Sequence, residues 1–82
     1  MDEVRRKKIV AYVQLLSMLR DGIQAFKDEE QRCLDSMPYN IQSDEIGEIS
    51  KMSISSLEQA LDVIDTATDD MNGALWQQTN KT

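Results

Sequence analysis

From Ile9 to Met37 the chain repeats its apolar positions at alternating steps of three and four: Ile9, Tyr12, Leu16, Leu19, Ile23, Phe26, Glu30, Cys33 and Met37. That spacing keeps residues on one side of an α-helix, whereas a strand needs a repeat of two. Val13 and Leu34 widen the stripe beyond the narrow seam of a two-stranded coil, toward the face of a bundle. Asp2 and Glu3 suit the positive end of a helix dipole, and Gly22 is the one weak point, costing about 1 kcal/mol relative to alanine. The pattern predicts a first helix over about 3–36.

Pro38, the only proline, ends it, because proline lacks the helix-forming N–H and disfavours α conformation in the residue before it. Residues 37–43 then read as a connector, with Ser43 as N-cap of a second helix and Asp44 and Glu45 in its first turn. In that helix Ile54, Leu57, Leu61, Ile64, Thr68 and Met71 make a row of larger side chains. Beside it runs a row of mostly small ones: Ile46, Ile49, Ser53, Ser56, Ala60, Val63 and Ala67. Asn72-Gly73 is a stop signal, which places the second helix at about 44–72. Ala74-Leu75-Trp76 either extends it or folds back, so the hairpin occupies 1–76 and residues 77–82 read as a flexible polar tail.

A chain of 82 residues buries too little surface for a strong core. Cys33 is the only cysteine and there is no histidine, so neither an internal disulfide nor a structural zinc site is expected. Self-association is the remaining remedy. The expected fold is therefore all-α, an antiparallel hairpin of two long helices assembling into a four-helix bundle or larger homo-oligomer. Charge favours the antiparallel arrangement. Residues 1–27 hold six basic and three acidic side chains, and residues 28–82 three basic and twelve acidic. Folding back is expected to bring Arg5, Arg6, Lys7 and Lys8 near Asp62, Asp65, Asp69 and Asp70, which selects orientation more than it adds stability.

The net charge of −6 argues against general binding to nucleic-acid backbones. No apolar stretch approaches a membrane span, and Gln14, Arg20 and Asp21 interrupt what would be a signal sequence, so a cytoplasmic protein is expected. Arg5, Arg6, Lys7, Lys8 and Arg20 are candidate phosphate contacts, although pairing with the acidic helix is the simpler use of the cluster. Asp28 and Glu29 lack the spacing of a cation loop and read as a solvated face. Glu30 falls on the apolar stripe and is expected to pair with Lys27, Arg32 or Lys51. Cys33, Tyr12 and Phe26 are expected in the core. Trp76 either packs over the bundle or anchors a partner, and Tyr39 is expected to be partly exposed in the connector. Trp76, Tyr39 and Glu30 are thus the candidate partner-binding residues. No arrangement of acid, base and nucleophile is recognisable, so no enzyme activity, cofactor or metal is expected.

Asp28-Glu29-Glu30-Gln31, Met37-Pro38, Asn40, Gln42-Ser43-Asp44-Glu45 and Gly47-Glu48 together resemble a pattern found in short helical proteins of unassigned function from bacteria, phages and mobile elements. The resemblance spans roughly residues 26–68 and departs from the pattern at Asp44 and Ile46, where Glu and Arg are more usual. It implies a helical fold and an accessory context, with no activity attached. The leading expectation is a small non-enzymatic protein-interaction module that inhibits or modulates a host protein, its acidic surface meeting a basic one. The alternative is an oligomer that sequesters an anionic nucleotide between hairpins, with the basic end, Arg20 and Tyr39 as contacts. A bundle that spaces another component ranks below these, as does direct DNA binding.

Overall fold

The computed structural model describes residues 3–79. Two long helices, α1 (Glu3–Asp35) and α3 (Glu45–Thr79), are joined through a single helical turn, α2 (Tyr39–Gln42). Together they form a rod of 63 × 15 × 12 Å. The long helices are antiparallel: Arg20 meets Asp65 and, one heptad further along α1, Lys27 meets Glu58, one heptad back along α3.

The reversal follows from its local chemistry. Pro38 adopts an extended conformation (φ −57°, ψ 150°) and its carbonyl accepts the N–H groups of Ile41 and Gln42, starting the short turn. The Gln42 side chain donates to the Met37 carbonyl at 2.8 Å, tying the two sides of the connector together. Ser43 does not cap α3. Its hydroxyl donates back to the Tyr39 and Asn40 carbonyls, and Asp44 is the cap instead, its Oδ1 accepting the N–H groups of Ile46 and Gly47. The correction is by one residue, and its cause is that α2 uses Ser43 to close its own C-terminus.

The seam between the long helices differs from the expected stripe on one edge. In α1 the residues turned toward α3 are Ile9, Val13, Leu16, Arg20, Ile23, Lys27, Glu30 and Leu34. Across from them lie Ile54, Leu57, Leu61, Ile64, Thr68, Met71 and Leu75. Both rows step by three and four, as two coiled helices require. Leu34, Ile54, Leu61 and Ile64 form the best-buried apolar group. The expected stripe shares Ile9, Leu16, Ile23 and Glu30 with the seam, but Tyr12, Phe26 and Cys33 lie outside it. Tyr12 and Phe26 are each 52% exposed and Cys33 is exposed. Arg20 and Lys27 take the inner places because their aliphatic stems cover apolar surface while their charged ends reach Asp65 and Glu58.

The second helix also runs further than expected. Gly73 lies inside α3 and has no left-handed backbone, so it is not a stop. Leu75 and Gln78 continue the inward row, and packing against α1 outweighs the roughly 1 kcal/mol helical cost of a glycine. Of the expected tail, residues 77–79 are helical and residues 80–82 lie outside the described residues. The expected contribution of Asp2 to the helix start lies outside them as well.

Candidate interaction face

The two broad sides of the hairpin are chemically unlike. One is polar. Along it run the Arg20–Asp65 and Lys27–Glu58 pairs, and Gln24 and Gln31 donate to Asp28 and Asp35 one turn ahead. The other carries the second apolar row of each helix. Tyr12, Leu15, Leu16 and Leu19 line a shallow groove with Ala67 and Met71. Further along, Phe26 and Glu30 line another with Ile49, Met52, Ser53 and Leu57. These rows stand one position off the seam, which is why a single periodic stripe in the sequence divides between an inner seam and an outer face.

The outer face is asymmetric across the hairpin. On α1 its side chains are large: Tyr12, Leu15, Leu19 and Phe26. On α3 they are mostly small, with Ser53, Ser56 and Ala60 between Ile49 and Val63, and Ala67 one turn beyond. Gly22 lies along the α1 row, and a Cβ placed there would meet nothing within 4 Å.

Asp70 borders it beside Val63 and Ala67, and its other charges lie toward the ends. Lys51 and Lys27, two of the expected partners of Glu30, bind Glu48 and Glu58 instead, and Glu30 forms no ion pair among the described residues. Glu30 is half-buried at the edge of the Phe26 groove. At the other end Arg6 pairs locally with Glu3, while Arg5, Lys7 and Lys8 form no ion pair among the described residues. The expected match of the basic cluster with the acidic helix fails because of the register between the long helices. In the register set by Arg20–Asp65, Lys8 lies level with Gln77, about two turns beyond Asp69 and Asp70.

The candidate phosphate contacts are not gathered into one place. Arg20 lies about 18 Å along α1 from Lys8 and is engaged by Asp65 at 2.6 Å. That hydrogen bond and the Asp65 charge raise its pKa above the ordinary value. Arg6, Lys7, Val10 and Gln14 line a shallow cleft with Glu3, and the Arg6 Nε is buried with no hydrogen-bond partner among the described residues. Tyr39, 85% exposed, sits at the turn end of the rod. Trp76, 62% exposed, sits near the open end on the helical continuation of α3, so the aromatic candidates are separated by most of the molecule's length.

Leu15, Leu19, Ile49 and Val63 belong to the outer face although none was singled out as a site residue. The available signal was the width of the apolar pattern, which exceeds what one partner helix covers. Among the described residues no Cys, Asp and Glu side chains converge as a metal site, and no helix is long and apolar enough to cross a membrane. No family model, curated protein or solved structure matches the chain.

Proposed function

We propose that the protein is a non-catalytic interaction module that works as a homodimer, two hairpins closing over their apolar faces into a four-helix bundle. The observation that carries this reading is the outer face itself, with Tyr12, Leu19, Phe26, Ile49 and Val63 all more than half exposed. Surface area supports it. The rod exposes 6073 Å², whereas a compact 9.4 kDa protein exposes about 5,000 Å². The excess, on the order of 1,000 Å², is comparable to the roughly 800 Å² that each partner contributes to a specific interface.

In such a bundle the polar sides turn outward, carrying Asp28, Asp35, Glu58, Asp62 and Asp69. That acidic surface suits a basic protein partner, and the resemblance of residues 26–68 to proteins of phages and mobile elements supports a host-modulating accessory role. Sedimentation equilibrium at micromolar concentration tests the assembly: the expected mass is twice 9.4 kDa. A chain that stays monomeric with its helices intact would remove the basis of the proposal.

An anionic nucleotide bound at the basic end is the second reading, favoured by the Arg6 Nε, which has no hydrogen-bond partner among the described residues. Thermal unfolding against a nucleotide panel separates the two. A ligand present at 100 times its dissociation constant adds about 2.7 kcal/mol of stability. The interaction-module reading expects no such shift.

A further inference from the structure

Resting on that self-association, we infer that the second copy docks head to tail, with its turn end over the first copy's open end and α1 against α1 in antiparallel register about Leu19. Face-to-face hairpins related by a two-fold axis have two arrangements. With the axis along the rod, both turns lie at one end and each α1 faces the other copy's α3. With the axis across the rod, the turns lie at opposite ends and like helices face each other.

Charge chooses between them. Around the open end, residues 3–14 hold four basic side chains and one acidic one, and residues 71–79 hold none. Around the turn, residues 28–51 hold seven acidic side chains and two basic ones. Turns at the same end would set the acidic stretch 28–35 of each α1 against the acidic start of the other copy's α3, residues 44–51, whereas opposed turns set the basic start of each α1 on the acidic end of the other. Like charges brought within a Debye length, about 8–10 Å, repel.

The outer row of α1 is self-complementary in the same sense. Read from its N-terminus it runs Lys8, Tyr12, Leu15, Leu19, Gly22 and Phe26, with Glu30 following where the row borders the seam: a cation, an apolar stretch, an anion. Leu19 is the midpoint of Tyr12 and Phe26. An axis passing at Leu19 therefore sets Tyr12 level with Phe26 of the second copy, and Lys8 level with its Glu30. Neither of those two charged groups forms an ion pair among the described residues of the single hairpin. The same axis sets Gly22 level with Leu16 of the second copy. The open space at Gly22 is then where the two α1 backbones approach closely.

Cys33, the only cysteine and exposed, reads out the arrangement directly. It lies 14 positions from Leu19, so head-to-tail docking separates the two copies' Cys33 by about 42 Å along the rod. Turns at the same end leave them about 20 Å apart or less, a matter of helix spacing alone. Nitroxides on Cys33 of the full chain, measured by pulsed dipolar spectroscopy, should give a distance near the longer value. A dimer with the short distance overturns the head-to-tail inference and leaves self-association standing. A monomeric mass overturns both.

Charge reversal without a label gives the second measurement. K8E sets two like-charge contacts in each dimer and should raise its dissociation constant about tenfold. Combining it with E30K restores opposite charges and should return most of that loss. Absence of rescue, with the dimer otherwise formed, counts against the register.

Discussion

Gly47 and Gly73 are both interior to α3, yet opposite consequences are expected when each becomes alanine. A Cβ at Gly47 would overlap the Gln42 carbonyl and stand 2.6 Å from the Gln42 Cα, backbone that cannot move without reopening the turn. At Gly73 it would meet nothing within 4 Å. Gly73→Ala should therefore stabilise the protein by about 0.5–1 kcal/mol, the ordinary helical gain. Gly47→Ala should lose about 1–3 kcal/mol despite the same gain, because overlap in a packed site dominates. Urea denaturation of both variants at one protein concentration reads the sign. A stabilising Gly47→Ala would mean that the connector does not pack against α3 as described.

The ends of the long helices rest on a few hydrogen bonds. Asp44 accepts two N–H groups of the first turn of α3, at 2.9 and 3.3 Å, and also places a negative charge at the positive end of the helix dipole. Asp44→Ala should cost about 1 kcal/mol. Ser43→Ala should cost less, because the Ser43 hydroxyl only adds to carbonyls of the short α2 turn. Equal losses on denaturation would return the capping role to Ser43. Along the seam, Arg20 and Lys27 occupy inward positions that a simple apolar pattern would assign to leucine. Their ion pairs are exposed and individually weak, so their contribution is to set the register of α1 on α3.

At the scale of the molecule, 63 Å of rod with few well-buried side chains leaves the second apolar rows to be covered from outside. Salt tests how. Burial of apolar surface is not weakened by sodium chloride, whereas contacts between oppositely charged ends are. If the hairpins dock head to tail, the dimer should weaken on moving from low salt to about 1 M, where the Debye length is about 3 Å. Sedimentation across that range measures it. A dimer that tightens monotonically with salt would place the apolar face in control and leave charge without a role in orientation.

Much of the hairpin was legible before the structure. Steps of three and four specify helices by local geometry, Pro38 breaks the chain by its own covalent constraint, and a short connector returns the chain antiparallel. These effects act within a few residues, so the sequence by itself was sufficient. Tertiary structure decided the rest. Whether Tyr12 and Phe26 or Val13 and Lys27 turned inward depended on the opposing helix, because both edges of the stripe satisfy the same period. Whether Gly73 stopped α3 depended on the packing of Leu75 against α1, which outweighs a local cost of about 1 kcal/mol. The charge match depended on register. That register carries Lys8 past the acids of α3, and among the described residues neither Lys8 nor Glu30, toward opposite ends of one apolar face, forms an ion pair.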